Sequence, residues 1–361
     1  MATALEHADP LHQRTHARLW LVVFLLSAGF FVAITFSPWK SGFADAPNRG
    51  PGDLALYRAE VERMHGGESY YDAVAAELTE RGYPTASIFN WRTPLPIWLV
   101  GQLPEFAMAH ALLGLIGLAL VLASFRLVAD EEGPKQAILV VLLLAGALLP
   151  CFLGNAVLLA ELWSGVLLAL SAVCFGIRKP AAGVVCGLAA LFFRELAAPY
   201  CLLCLALAAR ERNTRELIGW SAGLAAYAVY FALHAWQVGP RIAPDAVAHT
   251  DSWFRFGGAG FLISTAQMNA YLLLLPQWVT GIYLACALLG AATWTTPAGL
   301  RIALCVALYA IAFSIVGHDF NQYWGSLIAP LLCLPAARAP WVLWQLWHEA
   351  RGTASWADSA A

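Results

Sequence analysis

Apolar runs close in length to the thickness of a lipid bilayer recur along this chain, and they restrict what it can fold into more than any other feature. A helix rising 1.5 Å per residue needs ~20 residues to cross ~30 Å of hydrocarbon. Backbone N–H and C=O groups in lipid find no water, so runs of this length must close their hydrogen bonds internally, as helices. A membrane barrel would show alternating segments of ~10 residues, and no such period is present. The composition agrees, with 60% hydrophobic residues and 12% charged ones, about half the charged share of a soluble domain. A net charge of −2 gives no basic surface for nucleic acid. All eight cysteines lie in apolar runs, where a thiol behaves as a small hydrophobe. Cys201 and Cys204 form a Cys-x-x-Cys pair, but no Cys/His set of zinc-like spacing accompanies them.

The runs predict an all-α, polytopic transmembrane helix bundle forming a single integral membrane domain over 1–361. About ten spans are expected, at 19–38, 104–127, 137–154, 158–177, 180–193, 196–209, 216–236, 270–293, 301–317 and 323–338. Arg14 and Arg18 precede the first run, and Ala44-Asp45-Ala46 resembles a signal cleavage site. The run is longer than a signal h-region and the site lies too far beyond it, so the segment reads as a retained span. An eleventh span around 259–274 is the alternative count. With ten spans, Arg126, Lys135, Arg178, Lys179, Arg210, Arg301 and Arg338 fall on the cytoplasmic side with both termini, whereas the short external loops hold only Arg194, Arg241 and Arg255. On that reading 259–269 is an interfacial or re-entrant piece, and the protein sits in the cell (cytoplasmic or inner) membrane with its active face extracytoplasmic. Most of the 15 tryptophans read as an interfacial belt, Trp39, Trp91 and Trp278 among them.

The long polar stretch 39–93 becomes the first extracytoplasmic loop. Within it, Leu54, Tyr57, Val61 and Met64 share one face of a helix over about 53–65, while Arg58, Glu60, Glu62 and Arg63 fall elsewhere. Ser69 with Asp72 fits a capping box for a second helix over about 70–81, with Gly82 as its stop. The stretch returns to the membrane through Phe89-Asn90-Trp91-Arg92-Thr93-Pro94.

Two interfacial helices between the first spans, opening at Gly52-Asp53 with Tyr57, then Gly67 and Tyr70-Tyr71, followed by the Asn90-Trp91-Arg92 segment, Arg194-Glu195-Leu196 and the late Asn321-Gln322-Tyr323-Trp324-Gly325, resemble the GT-C superfamily of membrane glycosyltransferases. The resemblance covers the span plan of most of the chain and implies a polyprenyl-phosphate-linked sugar as donor. The acceptor is open: lipid, polysaccharide or protein.

Such a transfer needs a base for the acceptor hydroxyl. The leaving phosphate is already a stable anion, so a second carboxylate acting as general acid, as in glycoside hydrolysis, is not demanded. Developing charge on the phosphate calls for guanidinium or ammonium donors. The resemblance points to Asp53 as the base; an Asp after Pro-Gly also reads as a plain helix cap. Asp45 is a weaker candidate. Arg194 and Arg92 are the candidate phosphate ligands. Arg194 with Glu195 also fits a structural ion pair at membrane depth, and Arg92 beside Trp91 also fits snorkelling. Glu195, Tyr57, His318, Asp319, Gln322 and Tyr323 are possible site-lining residues, although His318 to Gln322 would look the same as an ordinary polar turn. Glu60 and Asp72 read as solvated helix-face charges and Glu161 as an interface charge. No cofactor is expected; the loop has no Asp-x-Asp pair, so a divalent metal is not supported. The competing functions are a transporter or flippase of a lipid-linked sugar, for which two corresponding broken halves would be expected, and a non-catalytic membrane subunit.

Overall fold

The computed structural model describes residues 10–37, 52–248 and 256–352. Asp45, Trp39, Arg255 and the first part of the long loop lie outside them. Every regular element in the described residues is helical: α1 (Pro10–Thr35), α2 (Gly52–His65), α3 (Tyr70–Glu80), α4 (Leu95–Gln102), α5 (Phe106–Glu132), α6 (Pro134–Leu148), α7 (Ala160–Gly176), α8 (Pro180–Phe193), α9 (Ala198–Arg210), α10 (Thr214–Val238), α11 (Gly258–Ala266), α12 (Ala270–Leu273), α13 (Gln277–Ala292), α14 (Pro297–Ile315) and α15 (Ala329–Arg351). A 3-10 segment, Asp319–Leu327, joins the last two.

Among the described residues, five helices are long and apolar enough to cross a membrane: Arg14–Phe36, Phe106–Glu132, Pro134–Cys151, Thr214–Arg241 and Pro297–Ile315. A sixth is reached if Phe320–Leu327 and Ala329–Arg351, bent by 67°, count as one span. Each of the ten expected segments holds a helix, but the remaining ones are short. α8 and α9, of 14 and 13 residues, rise only about 20 Å each. The expected 270–293 span is broken, because Pro276 starts α13 and leaves α12 as a single turn. The 259–269 piece is α11, nine residues long and so about 14 Å. It does not lie open at an interface: Phe261 to Ala266 are all buried. The last helix runs on to Arg351, well beyond the expected end at 338, and its far end packs Val342, Leu346 and Ala350 against Ala17 of α1.

Of the short helices, α7 is wrapped in protein, whereas α8 and α9 bury only part of their surface and leave Val185 and Leu202 exposed. α7 is the centre: 13 of its 17 residues are buried, as expected of a helix apolar all round. It packs on α5, α8, α14 and α15. α1 and α10 turn the other way. Leu25, Leu26 and Phe30 of α1 and Ile218, Val229 and Leu233 of α10 stand exposed, an apolar exterior of the kind lipid covers.

Polar contacts collect at the two ends of α5. At its C-terminal end, Trp294 Nε1 and Thr296 Oγ1 donate to Glu131 Oε2 at 2.7 and 3.1 Å, and Arg338 pairs with Glu132. At its N-terminal end, ~40 Å away for a 27-residue helix, sit α2, α3 and α4. They form a cap rather than a floppy loop. Arg63 of α2 pairs with Glu77 and Glu80 of α3, both at 2.6 Å. Arg241, past α10, pairs with Asp72 at 2.9 Å. α3 starts at Ser69, whose Oγ accepts from the Asp72 amide and donates to its carboxylate at 2.6 Å. It stops at Gly82, which takes a left-handed φ of 67°.

Close backbone approach fixes the 319–327 segment against α7. A Cβ placed on Gly165 would run into the Ser326 carbonyl oxygen, whereas one on Gly29 meets nothing within 4 Å. Gly165→Val is therefore expected to destabilise the protein by ~1–3 kcal/mol or more, while Gly29→Ala leaves it unchanged or slightly more stable. Thermal unfolding of the two purified variants in detergent, beside wild type, checks the contrast; equal melting temperatures would refute the packing described.

Candidate functional site

α2 presents Asp53, Leu56, Tyr57 and Glu60 to one side, the i, i+3/i+4, i+7 pattern of a helical face. Opposite stand the return segment with Tyr83, Asn90 and Arg92, and the 319–327 segment with Phe320, Asn321 and Tyr323. Together with Val74, Leu78 and Pro84 they line a cavity of mixed polar and apolar wall, about 80 Å³, room for a few waters or one compact polar group.

Tyrosine hydroxyls wire the cavity together. Asp53 Oδ1 accepts from Tyr83 OH at 3.2 Å and Oδ2 from Tyr323 OH at 3.1 Å. Arg92 donates from Nε to Tyr57 OH at 3.0 Å and from Nη2 to Tyr323 OH at 3.2 Å. Tyr323 thus accepts from the guanidinium and donates to the carboxylate, so Asp53 and Arg92 share a cavity without touching. Among the described residues neither is in an ion pair. Tyr70 OH donates to the Arg92 carbonyl at 2.6 Å, and a His234 ring nitrogen hydrogen-bonds the Trp91 carbonyl at 3.0 Å, so the return segment is held from α3 and α10 together. Burial, with the Asp53 charge behind it, pushes the Tyr83 phenol up to about 12. Burial also raises Tyr57. Both hydroxyls stay protonated donors at neutral pH.

Asp53 lies inside the first turn of α2, and both of its oxygens are engaged by tyrosines from elsewhere rather than by capping amides. Arg194 is not in the cavity wall. It ends α8 with an extended backbone, is 2% exposed, and pairs with Glu161 at 2.8 Å and Glu195 at 2.6 Å. Glu161 is correspondingly not an interface charge: it is buried in the first turn of α7, where the helix dipole favours a carboxylate. This cluster borders the cavity closely enough that Glu161 acts electrostatically on Tyr57 and Arg92. From the 318–323 turn the wall takes Phe320, Asn321 and Tyr323. His318 is buried, stacks on Phe320 at 5.1 Å and takes a backbone bond from its own N–H to Asn321 Oδ1, while Gln322 is exposed. The Asp319 side chain lies outside what the structure describes. Among the described residues no three His, Cys, Asp or Glu side chains gather into a metal-binding group.

Glu60 is the residue the sequence reading misplaced. It was expected in solvent, yet it is 2% exposed and lines the cavity. No hydrogen bond or ion pair engages its carboxyl among the described residues. Its seven-residue spacing from Asp53, with Tyr57 between them, was the available signal; as a charged residue in a mixed helix it was assigned to the polar face. Asp72, by contrast, does face solvent.

Burial pushes the Glu60 carboxyl up to about 8, against the opposing pull of Arg92. In an unfolded chain the same group titrates near ~4.3. Below that pH both states hold the proton and nothing is lost. Between ~4.3 and about 8 the unfolded state releases the proton and the folded state keeps it, so stability falls as pH rises, by an amount on the order of a few kcal/mol, and then levels off. Glu60→Gln is expected to abolish that slope. Melting temperatures of both proteins from pH 5 to pH 9 check it, and a gap between them that does not widen with pH would refute the buried neutral acid.

The chain matches no protein-family model, no curated protein and no solved structure, and what the site does is therefore read from its own chemistry.

Proposed function

We propose that the protein is a membrane glycosyltransferase of GT-C type, which moves a sugar from a polyprenyl-phosphate donor to a hydroxyl-bearing acceptor at the extracytoplasmic membrane surface. The observation that carries this reading is the pairing of one partly exposed carboxylate, Asp53, with one guanidinium free of carboxylate partners, Arg92, across a single cavity in the cap. An acid that can take a proton and a cation that can receive a phosphate are what such a transfer asks of a protein.

In this reading Asp53 accepts the acceptor's hydroxyl proton as the bond to the sugar forms. The phosphate leaves as an anion, and Arg92 receives its charge. Tyr57 and Tyr323 now occupy the guanidinium; phosphate oxygens are stronger acceptors than phenols, and exchange between the two costs Arg92 no loss of ion pairing. Tyr83 and Tyr323 hold the carboxylate's orientation. Arg194 serves as a positioning residue, since its charge is already taken up by Glu161 and Glu195. The exposed apolar faces of α1 and α10 suit a surrounding bilayer in which a polyprenyl chain dissolves. With the α5 end at Glu131–Lys135 cytoplasmic, the cap lies on the opposite, extracytoplasmic face, and the short helix α7 belongs to the bundle interior.

The test is donor consumption by purified full-length protein across a panel of polyprenyl-phosphate sugars. Asp53→Asn is expected to lower turnover ~10²–10⁴-fold with little change in stability, and Arg92→Ala to raise the KM for donor. Arg194→Ala is expected instead to destabilise the protein by ~3–5 kcal/mol, by stranding the buried Glu161 carboxylate. Full turnover by Asp53→Asn at matched protein level would remove the base, and with it this reading.

A further inference from the structure

Among the described residues, one carboxyl besides Asp53 lines the cavity, and the transfer as proposed above leaves it without a task. Glu60 sits one helical turn beyond Tyr57 on the same face of α2, almost wholly removed from solvent, and its carboxyl oxygens meet the cavity rather than a protein partner. A buried polar group without a partner forfeits hydrogen-bond energy, and a buried ionised carboxylate without a counter-charge costs far more. The side chain has alternatives in the same helix: the neighbouring inward positions are Leu56, Val61 and Met64. Its immediate surroundings also offer no role in folding. Glu77, the nearest acid on α3, is engaged by Arg63 and Arg81 at 2.6 and 2.8 Å, which leaves neither arginine aimed at Glu60.

Resting on the sugar-transfer reading, we propose that Glu60 is a substrate-binding residue whose carboxyl holds a single hydroxyl that reaches into the Asp53 cavity from a sugar bound at its mouth, donating one hydrogen bond and accepting another. A neutral carboxylic acid offers one O–H and one carbonyl oxygen side by side, which matches a hydroxyl that needs both an acceptor and a donor. Asn90 and Asn321 on the facing wall supply further donors and acceptors. The charged and titratable groups facing Glu60 are Asp53 and Tyr57 on its own helix, Tyr70 and Glu77 on α3, Arg81 and Tyr83 after it, Arg92 on the return segment and Tyr323 on the 319–327 segment. Arg92 is the nearest unpaired cation. Its hydrogen bonds go to Tyr57 and Tyr323, so it does not hold Glu60 ionised, and burial keeps the acid protonated up to about pH 8. A site that hydrogen-bonds a substrate hydroxyl discriminates strongly against the analogue lacking it, so Glu60 makes the enzyme selective for the sugar, whereas Asp53 serves the chemistry.

The experiment measures kcat and KM of wild type, Glu60→Gln and Glu60→Leu in lipid nanodiscs, with whichever polyprenyl-phosphate hexose wild type consumes. Glu60→Leu suits the apolar face and is expected to fold; it should raise KM ~10–100-fold with a smaller change in kcat. Glu60→Gln keeps a donor and an acceptor and should stay within a few-fold of wild type at pH 7. Wild-type kcat/KM should fall as pH passes through about 8, and the Glu60→Gln profile should lack that fall. A second readout needs no turnover. Infrared difference spectra of Asp53→Asn, on addition of the same hexose donor, should show a shifted carboxylic-acid C=O band that is missing when Glu60→Gln is added to the background. Unchanged KM in Glu60→Leu, or a band that donor does not shift, overturns the Glu60 inference and leaves sugar transfer standing. Consumption of no donor by wild type overturns both.

Discussion

The Tyr323 hydroxyl is the interaction on which the geometry of the cap depends. It accepts from Arg92 and donates to Asp53, so three segments far apart in sequence meet at one oxygen. Tyr323 can do this only because its 3-10 segment is rigidly placed. Gly165 lets the end of that segment lie directly on α7, and Gly325 lets it lie on the Thr265 carbonyl at the end of α11. α11 thereby acquires a purpose that its length denies it as a span: it is a buried buttress that sets the height of Tyr323 against α2. The chain of support runs from central helix to buttress, from buttress to turn, and from turn to the carboxylate.

Two arginines border this region, and their partners divide their roles. Arg194 lies between two carboxylates, deep in the protein. Removing either charge leaves the other stranded, which makes such a cluster a strong brace and a poor ligand. Arg92 bonds only hydroxyls. A phenol satisfies the guanidinium's geometry without neutralising it, so its positive potential remains directed into the cavity for an incoming anion. The sequence offered both residues as phosphate ligands, Arg194 ahead of Arg92. Only the placement of Glu161, in the first turn of α7 and within reach of Arg194, separates them, and no local pattern announces a contact across that separation.

What could be read in the sequence follows from how local the governing physics is. Helices α2 and α3, with the Ser69 start and the Gly82 stop, were legible because caps and amphipathic faces are decided within a few residues. The apolar segments were legible for the same reason. Their number as true spans was not, because hydropathy cannot tell lipid from protein as a surrounding: α7 is as apolar as any span, yet it is clad in other helices. Pro276 was visible as an interruption and was the ground for the eleventh-span alternative; it starts α13 after a single turn, α12. The continuation of α15 through Pro335 and Pro340 to Arg351 ran against a plain reading of proline as a stop; packing of its far end on α1 sustains it. In the site, Asp53, Tyr57, Arg92 and Tyr323 were legible as candidates, while their hydroxyl-mediated wiring was a tertiary fact.

Glu60 shows why a residue's misfit with its surroundings is informative. The face of α2 that packs into the protein is otherwise Leu56, Tyr57, Val61 and Met64, and an apolar residue at position 60 would continue it at no electrostatic cost. The acid does the reverse: burial raises its pKa, and no protein group among the described residues engages its carboxyl. Stability and activity commonly oppose each other where a site holds polar groups ready for a ligand instead of for the fold. The same preorganisation is visible in Arg92, kept from carboxylates, and in Asp53, kept from arginines. Two carboxyls and one guanidinium share one small cavity, and none is in an ion pair among the described residues. A fold optimised for its own stability alone would pair or replace such groups, and the sugar-transfer reading proposed above gives them a use.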